Sequence, residues 1–209
     1  MTFSHSPRML KGAFVQFDEQ SSQEHTIVFQ YNPDKICRKL EACTERSCMN
    51  YLRAVTSPRE TITLTITLDA TDNLEYVDKH PETVAAGIYP TLSAIEMLLY
   101  GQVSERSRRD FWGFSWLKPA SKRPLTLFVW GEKRIVPVLV TNLQVIEEMF
   151  DPILTPMRAS IEITMRVLNE VDLSHTDRGY EWWKTCIKTK VALAQTAYTD
   201  MQMNNLIKL

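Results

Sequence analysis

The chain has 209 residues, 44% of them hydrophobic and 23% charged, which is enough for one well-buried domain plus an appendage and excludes intrinsic disorder. With 24 Lys and Arg against 25 Asp and Glu, the net charge is -1, so there is no electrostatic case for nucleic acid or an anionic lipid surface. No window approaches the ~18 apolar residues of a membrane helix, and MTFSHSPRMLKGAF lacks the apolar core and cleavage site of a secretion signal, so folding in the cytoplasm without direct membrane insertion is expected.

GAFVQF (12–17) and HTIVFQY (25–31), separated by the polar DEQSSQE, read as a hairpin. Asn32-Pro33 ends the second strand, since proline lacks the ladder N–H and disfavours helix in the residue before it. Residues 34–60 have no sustained period, with room for a strand around Ile36 to Leu40 and otherwise a long exposed loop. ETITLTITL (60–68) then alternates strictly. Ile62, Leu64, Ile66 and Leu68 share one face, Thr61, Thr63, Thr65 and Thr67 the other, and neither face carries a charge after Glu60. An ordinary solvent-facing strand explains that pattern, and so does a pore wall or subunit seam.

Residues 73–87 read as a polar connection ending at Gly87. In IYPTLSAIEMLLYGQ, Leu92, Ile95, Met97, Leu98 and Leu99 give a broad apolar helical face, with Pro90 near the start and Gly101 at the end. Residues 104–124 form a basic, aromatic, proline-bounded loop. Three strands come next, LTLFVWG (125–131), RIVPVLVTNLQVIEEMF (134–150) and MRASIEITMRVLNEV (157–171), joined by the short GEK turn and the wider DPILTP turn. Pro137 argues for a bulge or a sheet edge in its strand. From about Asp177 the period becomes helical: Trp183, Ile187, Val191, Ala194, Tyr198 and Met201 trace one stripe. The division expected is a β-domain over 8–172 and a C-terminal helical extension over 177–207, packed either on its own domain or on a neighbouring subunit.

No site chemistry emerges. The four histidines are not spaced for a metal, no HExxH, GxSxG, P-loop or GxGxxG occurs, and Glu147-Glu148 in strand phase point to opposite faces rather than converging. Cys37, Cys43, Cys48 and Cys186 lack zinc-site spacing and read as reduced structural thiols. No catalytic, cofactor or metal residue is therefore assigned. The segment RSRRDFWGFSWLKPASKR interleaves arginines and lysines with Phe111, Trp112, Phe114 and Trp116, a composition suited to a protein contact more than to nucleic acid in a neutral chain. Candidate interface residues are thus Thr61, Thr63, Thr65, Thr67, Trp112, Trp116, Trp183, Ile187 and Tyr198.

The blocks LKGAFVQFD (10–18), TIVFQYNPDKICRKLE (26–41), SPRETITLTITLDATD (57–72), GIYPTLSAIEMLLYG (87–101) and PLTLFVWG through ITMRVL (124–168), in that order, carry a further signal. The sequence resembles the tube-type domain of phage-tail-like contractile injection systems, in particular the baseplate subunit that caps the inner tube and is often followed by a LysM module. The resemblance implies a mainly β fold with α: an antiparallel β-barrel or sandwich with one flanking helix, here with an added C-terminal amphipathic helix. It also implies a homo-oligomeric six-fold ring contacting an inner tube protein, a spike or hub protein and a sheath-initiator protein, in a particle either released or membrane-anchored, with no cofactor and no enzyme activity. After Leu173 the chain departs from that pattern, reading as a single helix instead of a LysM module, so no glycan-binding role is carried over. A small-ligand or carbohydrate-binding β-domain, with Trp112, Trp116 and Trp130 as stacking platforms, is the alternative from a different class, and an enzyme with an unrecognised site is a third.

Overall fold

The computed structural model describes residues 10–17, 24–42, 57–75, 77–100, 103–104, 118–119 and 124–200. Their elements are β1 (Ala13–Phe17), β2 (Glu24–Val28), β3 (Ile36–Glu41), β4 (Arg59–Asp69), α1 (Thr71–Leu74), a 3-10 turn (Val77–Lys79), α2 (Pro81–Ala86), α3 (Tyr89–Tyr100), β5 (Val103–Ser104), β6 (Lys118–Pro119), β7 (Leu125–Val129), β8 (Ile135–Phe150), β9 (Pro156–Val167) and α4 (Arg178–Asp200). Strands β5 and β6 pair with each other. The other seven form one antiparallel sheet in the order β2-β1-β7-β8-β9-β4-β3. The protein is mainly β with a flanking helix, α3, and a C-terminal helix, α4, as the sequence predicts.

The sheet is curled. Phe29, just past β2, donates its N–H to the Gly12 carbonyl beside β1 at 2.9 Å. The next residue, Gln30, donates Nε2 to the Asp69 carbonyl at 2.7 Å and accepts the Asp69 N–H at 2.9 Å, at the far end of β4. One residue, one side chain and two hydrogen bonds span at most about 15 Å, whereas four strand spacings would hold β1 and β4 about 19 Å apart in a flat sheet. The two sides of the sheet are therefore drawn together around a common interior. Asn32 fastens the same connection by accepting the Gly12 N–H and donating to the Leu10 carbonyl, both at 2.9 Å.

That interior is filled by the alternating residues. Ile62, Leu64, Ile66 and Leu68 of β4 and Ala159, Ile161, Ile163 and Met165 of β9 are buried, in register as Ile62 with Met165, Leu64 with Ile163 and Ile66 with Ile161. From the other side come Phe14, Phe29 and Phe128, whose ring centroids lie 5.3 to 6.4 Å apart. Helix α3 adds Leu92, Ile95 and Leu98 to the same core. Its start is pinned by the Ile88 N–H on the Pro156 carbonyl at 3.1 Å. Gly87 precedes it at φ +55°, where a Cβ would lie 2.4 Å from that carbonyl, so this position takes only glycine.

Three local expectations change. Residues 73–87 hold short helical turns rather than an irregular connection. Met97 is exposed, so the apolar face of α3 is narrower than its sequence. Pro137 lies at neither an edge nor a bulge: β8 is paired to β7 there and Pro137 is fully buried. Its missing N–H falls where the β8–β9 ladder ends, and its carbonyl still accepts the Leu168 N–H at 2.9 Å. The bulge sits at Thr141, between the Val140 and Asn142 pairings, and the Thr141 hydroxyl donates to the Thr164 carbonyl at 3.1 Å.

Gln30→Leu leaves the Asp69 N–H and carbonyl without their partners in a half-buried setting, at a cost of about 2 kcal/mol or more. Urea unfolding of this variant beside Gln144→Leu, an exposed glutamine on β8, checks it: the first midpoint should fall clearly and the second stay close to the parent.

Candidate assembly surfaces

The threonine face of β4 looks outward, with Thr61 and Thr63 half-buried and Thr65 and Thr67 exposed. Its neutrality ends at the next strand. Across the ladder Thr61 meets Arg166, Thr63 meets Thr164, Thr65 meets Glu162 and Thr67 meets Ser160. The Thr63 and Thr164 hydroxyls are 3.3 Å apart, while Arg166 is tied to Asp172 at 2.8 Å. The sheet thus offers a polar face with both charge signs, a surface several of whose side chains already satisfy one another.

Helix α4 packs back on its own domain over its first half. Gly179 is buried so closely that a Cβ would lie 2.9 Å from Leu125, and Cys186 is buried with Trp183 and Ile187 half-buried beside it. Val191, placed on the buried stripe by its sequence spacing, is exposed, because the contact face runs through Cys186 and Lys190 instead. Tyr198 lies in α4, with its side chain outside the described residues, as are Trp112 and Trp116 altogether. The structure therefore brings Trp183 and Ile187 together and leaves the threonines on a separate face.

Sequence reasoning passed over the residue that fixes α4. Glu60 begins the aliphatic stripe of β4 in the same phase as Ile62, and its side chain is only 7% exposed. Arg38 of β3 donates to Oε1 through Nε at 2.7 Å, with its terminal nitrogen at 2.6 Å, and Lys190 of α4 donates to Oε2 at 2.9 Å. Burial by itself would push the Glu60 carboxyl up; the bonds from Lys190 and Arg38 outweigh it and hold the group below the ordinary glutamate value. The available signal was phase: a carboxylate on the dry face of an alternating strand requires a cation from elsewhere.

Two cavities lined by described residues are small. One of about 40 Å³ lies under α4 between Val136, Val167, Trp183 and Cys186. Another of about 150 Å³ is lined by Gln30, Asp69, Asn73, His80 and Thr83. Both fall short of the ~300 Å³ at which ligand clefts usually begin. Trp130 is no stacking platform: it is half-buried, stacked on Phe128 at 6.1 Å and pressed against Gly12. Among the described residues no group of three or more His, Cys, Asp or Glu could hold a metal ion.

Among the described residues the distal half of β8 is unpaired on one side. Strand β7 pairs with β8 only from Ile135 to Val138, so from Leu139 onward β8 has one strand neighbour among the described residues, β9. Ile146, Met149 and Phe150 on this open edge are each more than half exposed, and Ile153 and Leu154 in the adjoining turn are 80% and 75% exposed. That turn is held in shape. The Asp151 carboxylate accepts the Ile153 and Thr155 N–H groups at 2.9 and 2.7 Å, which keeps Leu154 at φ 67° and holds the carboxyl low, the Thr155 bond being the main cause.

No protein-family model matches the chain, and no curated protein matches it. Among solved structures it is similar to a chain from the tail of an empty GTA particle obtained by helical refinement with C6 symmetry, with a TM-score of 0.34 and 14% identity over 75% of this chain and 91% of that one. At that distance the likeness assigns neither a family nor a role.

Because the Glu60 pKa is depressed in the folded state, the stabilisation it gives is full above the ordinary glutamate value of about 4.3 and is lost as pH falls through the lower folded value. Amide hydrogen exchange across residues 183–190 should therefore accelerate below about pH 4, ahead of exchange in β4 and β9. Glu60→Gln should show fast exchange in α4 already at neutral pH and lose the acid step, and a step that survives the substitution would assign it to another group.

Proposed function

We propose that this chain is a structural subunit of a phage-tail-like contractile particle, assembling laterally into a six-fold ring that joins the inner tube to the baseplate hub. The observation that carries this reading is the edge of β8 left open among the described residues: an unpaired strand edge bearing exposed apolar side chains, beside a hydrogen-bonded turn, is a surface that a neighbouring protein completes. Strands β2 and β3 leave two further edges. A ring needs one surface to meet a different one on the next copy, and a curled sheet with edges on both sides supplies that.

The blocks that carry the family resemblance also account for the fold. In VFQYNP, Phe29 enters the core while Gln30 and Asn32 clamp two remote backbone segments. In GIYP, Gly87 and Ile88 close on Pro156, and the aspartate of the E-x-F-D-P turn is the turn-forming Asp151. Within this reading the tube, the hub and the sheath-initiator are the partners, and the role is mechanical rather than catalytic.

Electron microscopy of the chain co-expressed with its genomic neighbours tests the proposal, with rings seated on tube ends as the expected result. Ile146→Lys with Met149→Lys changes two exposed side chains, so circular dichroism should be unchanged while rings are lost. Rings that form normally from this variant would remove β8 from the interface.

A further inference from the structure

We propose that the outer side of α4, along Lys184, Lys188 and Val191, docks on the distal half of β8 in a second copy of the chain. The proposal rests on the ring reading and names the contact that closes it. Helix α4 begins over β1 and β7, where the Arg178 guanidinium sits 4.5 Å from the centre of the Phe17 ring and Gly179 abuts Leu125. It crosses the sheet to Glu60 of β4, which Arg38 of the edge strand β3 also holds. The helix therefore points outward past that edge. Leu193 lies two turns after Cys186 on the same helical face, yet it is 47% exposed where Cys186 is 9% exposed. The contact face continues in sequence after the domain beneath it has ended, so the last turns overhang.

This helix and the β8 edge are complementary. The outer side of α4 offers Lys184, Lys188 and Val191 in line on successive turns. Among the described residues Lys188 has no acidic partner, and Lys184 has only Glu181 at 3.9 Å. The edge of β8 offers Ile146, Met149 and Phe150 with Glu147 and Glu148, neither of which forms an ion pair among the described residues, since Arg158 opposite Glu148 is held by Asp69. Apolar contact with opposite charges around it is the arrangement of a specific interface. The edge cannot be served by this stretch of its own helix. Glu148 pairs with Arg158, level with Asp69 at the last end of β4, whereas Lys190 is anchored at Glu60 near the first end. Nine residues of strand separate the two by about 30 Å, and Lys184, Lys188 and Val191 all lie within about 9 Å of Lys190 along the helix axis. Arm and seat are different surfaces, so the contact is head-to-tail and propagates until it closes.

Charge reversal in the purified full chain tests it, read as the concentration at which oligomers form in mass photometry and sedimentation velocity. Lys184→Glu with Lys188→Glu, and separately Glu147→Lys with Glu148→Lys, should each raise that concentration by at least about tenfold, and the chain carrying all four substitutions should assemble again. Unchanged circular dichroism confirms that each variant is folded. A wild-type chain that assembles while neither reversal matters, or a fourfold variant that stays apart, overturns the docking and leaves the ring reading standing. A wild-type chain that is monomeric at every concentration overturns both, and the ring reading is then the one at fault.

Discussion

The pair of hydrogen bonds between Gln30 and the Asp69 backbone is the constraint that the architecture depends on. Without it, β1 and β4 are separated by three strands and nothing obliges the sheet to bend. With it, the chain that leaves β2 reaches the end of β4 within two residues, so the faces bearing Phe14, Phe29 and Phe128 and those bearing Ile62 to Leu68 share one interior. A side-chain amide is suited to this role because it presents a donor and an acceptor side by side, as a neighbouring strand would. The tie also orders the segment after β4: Asp69 uses its carboxylate on Thr71 and Arg158, and the Tyr31 hydroxyl bonds Asp72, so the helical connection to α3 starts from a fixed point.

The opposite end of the curled sheet is secured by a different kind of interaction. Glu60 occupies a place that its strand reserves for aliphatic residues, and two cations from separate elements neutralise it. Replacing such a group by a hydrophobe is often neutral for stability, but removing one partner alone costs about 3–5 kcal/mol. What the arrangement supplies is position: Lys190 meets Glu60 in only one placement of α4, whereas the apolar contacts of Trp183 and Ile187 would tolerate a shift along the helix. The buried carboxylate thereby determines where the helix leaves the domain.

The elements with a local cause were legible in the sequence. The alternation of β4, the spacing of Leu92, Ile95 and Leu98 in α3, and the turn chemistry of DPILTP each belong to a few neighbouring residues, and the structure agrees with them, whereas β2 ends at Val28, ahead of Asn32-Pro33. The features that were not legible join residues far apart. Nothing near Glu60 announces Lys190, and nothing near Trp130 announces that Gly12 and Phe128 will enclose it. Pro137 illustrates the same limit: its missing N–H signals a break in pairing, but only the length of β9 shows that the break falls at the ladder's end, with the bulge displaced to Thr141. The threonine face looks outward, one of the placements its alternation allowed, yet its neutrality was a property of one strand, and β9 supplied Glu162 and Arg166 beside it.

An open edge is a hazard as well as an opportunity, and β8 carries marks of both. A long unpaired strand with exposed apolar residues invites indiscriminate pairing. Here the bulge at Thr141 twists the strand where its β7 partner ends, and Glu147 and Glu148 put one negative charge on each face of the exposed half. Two copies of the edge would therefore repel each other, which disfavours direct strand-to-strand dimers. A partner that brings cations is not excluded by the same charges. The acidic pair thus acts as a filter rather than a block: it raises the cost of self-pairing while leaving the apolar residues around the two charges accessible to a basic surface. A subunit that must remain separate until it meets its neighbour in one orientation has use for an edge of this kind.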